Sequence, residues 1–219
     1  MNRIKQICNL IDKCQCVYDV GSDHALLAIN LLKDRKTKQV VNIEKNWQPY
    51  NAGKANLAKN HLTTKTINVL TDGLKDITSK VFVQPDYVVI AGMGAKNIIQ
   101  ILKDKDSKIN KNAKYILEAN CDVDELRKFL AKNKWDVLYE ETCLDRTKFY
   151  QIIVAKQGSK LRRLTNFEAH FGLKQKQKDI KCWIQYLKAT IKKIEAKKLF
   201  KFSKEYKVLY PALKLQVKK

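Results

Sequence analysis

Apolar positions along this chain follow two different periods, and the switches between them mark out its elements. Ile4, Ile7, Cys8, Leu10 and Ile11 recur at helical spacing and predict an amphipathic opening helix. Apolar or β-branched runs then predict strands at Cys16 to Val20, Gln39 to Glu44, Thr66 to Leu70, Asp86 to Ala91 and Lys114 to Ala119. Helical patterns at Ala25 to Lys33, about Pro49 to Asn60, Lys96 to Leu102 and Asp124 to Asn133 separate or follow them, with Pro49 tolerated in a first turn. Continuous apolar strands alternating with helices predict an α/β fold with a doubly wound, mostly parallel sheet. Two further strands, Trp135 to Glu140 and Phe149 to Ala155, are joined by only about eight residues, Glu141 to Lys148. That is too few for a parallel crossover, so the pair is expected to run antiparallel or to lie apart.

Gln157-Gly158-Ser159 ends this alternation. Ile180, Ile184, Leu187, Ile191 and Ile194 step by four, three, four and three, a heptad-like seam with Trp183 beside it. A second apolar helical stretch, Tyr206 to Val217, is placed to fold back on the first, since a lone amphipathic helix would leave its seam wet. The expected organisation is a sheet domain at 1–159 and a basic helical hairpin of coiled-coil type at 160–219.

The first strand carries the chemistry. Tyr18-Asp19-Val20-Gly21-Ser22-Asp23-His24 runs from an apolar strand into an acidic, Gly-containing turn, and a second strand ends on Glu44 about twenty residues later. That spacing matches a carboxylate for a nucleoside ribose. A pyrophosphate site would need successive glycines, whereas Gly21-Ser22-Asp23 sets an acid where the anion would sit. A cationic nucleoside cofactor, S-adenosylmethionine, fits better. Asp19 is expected to hold its ammonium, Gly21 to admit its methionine part, and Glu44 to accept from the ribose hydroxyls. Asp23 also reads as the N-cap of the next helix, and His24 as a hydrogen-bonding residue at that helix start. Asp72-Gly73, ending the third strand, would bracket adenine. Ala91-Gly92-Met93-Gly94, ending the fourth, leaves room for a flat base or serves close helix packing.

Charge points to a polyanionic partner, with a merely solvated basic surface as the alternative. The chain holds 44 Lys+Arg against 22 Asp+Glu, a net +22, of which residues 160–219 contribute +14. A polyanion is expected there, with Arg162, Arg163, Lys192 and Lys193 as candidate phosphate contacts. The apolar runs are too short to span a bilayer and no signal-type segment opens the chain, so a cytoplasmic protein without membrane contact is expected. The six cysteines form no C-x-x-C pair and no zinc-type spacing, which predicts reduced, mostly buried thiols and no metal.

Asp19-Val-Gly-Ser-Asp-His24, the Glu44 strand, Thr71-Asp72-Gly73-Leu74, Ile90-Ala-Gly-Met-Gly94 and Asp124-Glu-Leu-Arg127 with Trp135 together resemble the bacterial tRNA (adenine-N1)-methyltransferases of the TrmK type, which modify adenosine 22 in the D-loop region of tRNA. The resemblance covers essentially the whole chain. It implies a Rossmann-like class I methyltransferase domain with seven strands and an antiparallel terminal strand, followed by a helical coiled-coil-like domain. It also implies that Asp19, Gly21, Asp23, His24, Glu44, Asp72, Gly73, Ala91 and Met93 line an S-adenosylmethionine pocket. Gly92, Gly94 and Asn120 are candidate substrate contacts, and Asp23 and Glu118 are candidate catalytic carboxylates. Two positions depart from the family pattern: Ala95 replaces a second glycine, and Glu118-Ala119-Asn120 stands where Gln-Pro-Asn is usual. A monomer acting on tRNA is expected. The residues alone fit methylation of another RNA position equally well. A non-catalytic RNA-binding protein would leave the three ordered acidic positions unexplained.

Overall fold

Strands buried on both faces need helices on both, and the chain supplies them in alternation. The computed structural model describes residues 3–173, 176–197 and 204–218. Its strands are β1 (Cys14–Val20), β2 (Thr37–Glu44), β3 (Thr66–Leu70), β4 (Tyr87–Met93), β5 (Lys114–Ala119), β6 (Trp135–Asp145) and β7 (Lys148–Gln157). The helices are α1 (Arg3–Asn9), α2 (Leu26–Lys33), α3 (Trp47–Lys59), α4 (Ile77–Lys80), α5 (Ala95–Asp104), α6 (Val123–Lys132), α7 (Asn166–Phe171), α8 (Ile180–Ala196) and α9 (Lys204–Lys218). One seven-stranded sheet forms in the order β3-β2-β1-β4-β5-β7-β6. The first five strands in that order run parallel, and β7 is antiparallel to both β5 and β6.

Side chains alternate across the sheet. Tyr18, Ile43, Ile90 and Leu117 enter one core, while Val17, Val40, Val89 and Ile116 enter the other. Chain direction along the sheet reverses between β1 and β4, with β2 and β3 to one side and β5 to the other. Such a switch point opens a crevice at the carboxyl ends of the strands.

The connection between the last two strands differs from the expectation. β6 runs to Asp145 and β7 starts at Lys148, so only Arg146 and Thr147 join them, with Arg146 in the left-handed region at φ 54°. Glu141 and Thr142 read as loop because they are polar, yet both are buried strand residues, as is Glu140 before them. Each has a partner from elsewhere in the fold. Gln6 Nε2 donates to Glu141 at 2.6 Å, Thr142 Oγ1 donates to Gln177 at 3.4 Å, and Arg127 engages Glu140.

Beyond β7, Trp183, Leu187 and Ile194 of α8 bury against Phe171, Leu209 and Leu213 in a third cluster. Trp183 Nε1 donates to the Phe171 carbonyl at 2.6 Å. The expected pairing of two apolar helical stretches is therefore present, but the seam is rotated: Trp183 is fully buried, whereas Ile180 is 43% exposed. The interhelix segment at 198–203 and the Tyr206 side chain lie outside the described residues. All six cysteines are free thiols. No described helix is long and apolar enough to cross a membrane, and no cluster of metal-ligating side chains occurs among the described residues.

Candidate functional site

The carboxyl ends of β3, β2, β1, β4 and β5 bring most of the candidate residues onto one edge, in that order. Asp19 lies on β1 between Asn42 of β2 and Val89 of β4, next to the switch point. It is only 6% exposed, and among the described residues neither a hydrogen bond nor a cation offsets that burial. Burial, helped by the nearby Glu44 charge, pushes its pKa up to about 7. A nearly enclosed carboxylate without a partner is costly alone and is suited to a cationic ligand.

The turn after β1 is tightly determined. Gly21 sits at φ 76°, a conformation that favours glycine, and a side chain there would have to displace the Met93 methyl group. Asp23 and Ala25 are also left-handed, at φ 46° and 55°. Ala25, not Asp23, caps α2, and no side chain caps it, so the expected Asp23 N-cap does not form. Asp23 is exposed. His24 is exposed too, with its Nε2 3.7 Å from Asp23 Oδ1. Arg3, Ile4, Asp19, Gly21, Asp23, His24 and Ala91 surround a cavity of about 120 Å³ at this turn.

Glu44 is 7% exposed and does more than end a strand. Its Oε2 accepts from the Asp23 amide at 3.2 Å, and its Oε1 accepts from the Lys45 and Asn46 amides at 2.9 and 3.2 Å. One carboxylate thus joins the turns that follow β1 and β2. Lys45 pairs with Asp72 at 2.8 Å, across an exposed gap between the ends of β2 and β3. Gly73 beside it is left-handed at φ 63° and packs on Ile101.

At the end of β4 the strand bulges between Ala91 and Met93, with Gly92 at φ 81°. The Gly92 amide donates to Glu118 Oε2 at 2.9 Å, and the Gly92 carbonyl accepts from Asn120 Nδ2 at 2.6 Å. The Met93 carbonyl accepts from the Asn120 amide at 2.8 Å. Glu118 itself is fully buried and pairs with Arg3 at 3.0 Å. Burial raises its pKa, and the Arg3 charge opposes that rise. Gly94 caps α5 in extended backbone, and a methyl group there would make only an ordinary contact with Cys121.

The basic candidates are not gathered in one place. Lys193 lines a cleft of about 310 Å³ with Asp122, His170 and Tyr186, beside the turn that follows β5. Lys192 is exposed on the same helix. Arg162 donates its amide to the Ala131 carbonyl at 2.9 Å and, with Arg163, lines a cleft at the carboxyl end of α6. That end faces the amino ends of the parallel strands, away from Asp19 and Glu44.

Two residues at the site carried no motif signal. Arg3 braces Glu118 and places its guanidinium within 3.5 Å of where a Gly92 side chain would begin. Gly53 lets α3 press on the Asp23 turn, since a methyl group there would stand 2.8 Å from the Asp23 carbonyl oxygen. Arginine usage was the available clue to the first: six arginines among 44 basic residues mark places where a planar fork is needed.

Residues 17–218 match the family described as TrmK, tRNA (adenine(22)-N(1))-methyltransferase. Among relatives, MG248 of Mycoplasma genitalium, named as a candidate tRNA methyltransferase, is 31% identical over 169 residues, 74% of this chain and 72% of that protein. The structure of Mycoplasma capricolum TrmK with S-adenosyl-homocysteine superposes with a TM-score of 0.78 at 28% identity, over 100% of this chain and 94% of the other. Streptococcus pneumoniae Sp1610 with S-adenosyl-L-methionine gives 0.79 at 26% identity, over 98% of each chain.

Proposed function

The chain belongs to the tRNA (adenine(22)-N(1))-methyltransferase family, and from that premise we propose which of its residues carry out S-adenosylmethionine-dependent methylation of N1 of adenosine 22 in tRNA. The supporting observation is Asp19, a nearly buried carboxylate whose burial no hydrogen bond or cation among the described residues offsets, on the strand next to the one that ends in the ribose-type carboxylate Glu44. Asp19 holds the cofactor ammonium. Glu44 takes a ribose hydroxyl on the acceptor capacity its three amides leave free, and Asp72 turns from Lys45 to the adenine edge. When bound, S-adenosylmethionine supplies an electrophilic methyl group on a sulfonium.

The chain's own residues orient the acceptor. Adenine N1 is already nucleophilic, so alignment matters more than a strong base. The target base must leave its stack to expose N1. Asp23, exposed at the mouth, faces the positive charge that develops on the ring. Glu118 and Asn120 act as positioning residues by holding Gly92 through its amide and its carbonyl respectively. Residues 160–219 form the tRNA-gripping region, with Lys192 and Lys193 on the side nearer the site.

Incubation of an unmodified tRNA transcript with the protein and S-adenosylmethionine should place one methyl group on adenosine 22, read by mass mapping of nucleosides and fragments. A transcript with guanosine at that position should stay unmodified. Methylation elsewhere, or none, would overturn the assignment.

The Asp19 carboxyl makes a second prediction. In the unfolded chain it loses its proton near 4 and in the folded one near 7, so its burial costs stability progressively as pH rises between those values and by a constant amount above. A cationic ligand needs the ionised form. Cofactor affinity should therefore rise ~10-fold from pH 6 to pH 8, as the ionised fraction climbs from about one tenth to about nine tenths. Asp19→Asn should weaken binding and flatten this profile in calorimetric titrations; a variant with the wild-type slope would remove Asp19 from the ammonium site.

A further inference from the structure

We propose that Trp47, Tyr50 and Lys54 on α3 form a stacking platform for a nucleobase of the tRNA, beside the cofactor cleft and not within it; this rests on the tRNA reading above. Trp47 is 63% exposed, whereas Trp135 and Trp183 are 6% and 0% exposed. A large apolar ring left in water at the edge of a site marks a contact surface. The Trp47 and Tyr50 rings stack at 5.6 Å between centroids and 20° between planes, and Lys54 Nζ lies 5.4 Å from the Tyr50 centroid. The row is stiffened from the Tyr50 side and solvent-facing at Trp47.

Its position follows from the strand before it. Trp47 comes three residues after Glu44, in the first turn of α3, so it stands on the same edge of the sheet as the site. Gly53 presses the next turns of α3 onto the Asp23 turn, which fixes the helix against the cavity. The helix carries Lys54 and Lys59 and no acidic residue, so its surface suits a polyanion.

A polynucleotide explains this row better than the cofactor's adenine does. From residue 47 to 54 the row extends about 10 Å along the helix, more than one ring needs. Bases provide π-faces for Trp47 and phosphates a partner for the Lys54 ammonium. Extruding the target adenosine also strips its neighbours of stacking, and an aromatic shelf near the mouth replaces it.

Full-length protein is titrated with tRNA while tryptophan fluorescence is recorded; because Trp135 and Trp183 are buried, the response reports on Trp47. Quenching is expected in the wild type and should vanish in Trp47→Phe. Trp47→Ala should raise KM for tRNA by about 5- to 100-fold, with cofactor affinity unchanged by calorimetry and Trp47→Phe recovering most of the loss. Wild-type KM in Trp47→Ala, in a preparation whose wild type methylates adenosine 22, overturns the platform and leaves the functional reading standing. Quenching by S-adenosylhomocysteine alone, with cofactor affinity lost in Trp47→Ala, would also overturn it by making the ring a wall of the adenine site. Failure of the wild type to methylate adenosine 22 is the separate result that strikes the functional reading.

Discussion

Replacing Arg127 by methionine is expected to lower the midpoint of thermal unfolding by ~6–20 °C. Arg127 is 3% exposed and meets Glu140, also 3% exposed, at 2.7 Å. Its remaining donors reach the Ala169 and His170 carbonyls at 3.0 Å each and Gln151 Oε1 at 3.2 Å. Every arm of the guanidinium fork is used, and the contacts join α6, β6, β7 and α7. Methionine fills much of the volume but leaves Glu140 as a buried charge without its counterion, which costs about 3–5 kcal/mol. Glu140→Gln in the same chain should recover a large part of that loss, because the stranded charge disappears. A shift below 2 °C in Arg127→Met would show that the pair contributes little. The network also ties the segment after β7 to the sheet. The two regions expected from the sequence, 1–159 and 160–219, are therefore bonded through a buried arginine, and truncation at residue 159 would expose Arg127 and the face of β6 that α8 covers.

Glu44→Ala is expected to reduce cofactor affinity by on the order of 100-fold or more, read by calorimetry with S-adenosylhomocysteine. A hydrogen bond to an ionised carboxylate is worth about 1.5–3 kcal/mol, and each 1.4 kcal/mol is tenfold. The alanine variant loses the proposed bond to the ribose and also releases the Asp23, Lys45 and Asn46 amides that Glu44 gathers. Glu44→Gln separates the two contributions. It keeps the size of the side chain, but its NH2 must face a backbone donor, so the turns loosen while the core stays packed. Unfolding midpoints close to wild type in both variants would confine the effect to the site. Affinity within threefold of wild type in Glu44→Ala would dismiss the ribose role.

The strand ends were legible because each combines an apolar run with a residue type that has few other uses there. Asp72, Glu44, Asp19 with Gly21, and Met93 stand along one edge of the sheet, at the ends of β3, β2, β1 and β4. The Asp23 cap was misread because local propensity favours aspartate at a helix start, whereas the Glu44 carboxylate holds the Asp23 amide and leaves Asp23 left-handed. Glu118 reads as a candidate catalytic carboxylate from its place at the end of the fifth strand. The packed structure surrounds it with Arg3 and the Gly92 amide, an arrangement that joins residues 115 positions apart and that no local window shows.

Periodicity, turn chemistry and charge by themselves determined the alternating fold, the edge that carries the candidate residues, and the basic character of the last sixty residues. All three are local or cumulative properties of the chain. Tertiary structure alone decided how Glu141 and Thr142 become strand, why Gly53 must be small, where Arg3 and Arg127 find their carboxylates, and that Trp47 remains in water beside the site. The physical reason is common to them: a polar side chain is buried, or an apolar one exposed, according to partners brought by distant segments, and no window of neighbouring residues contains those partners.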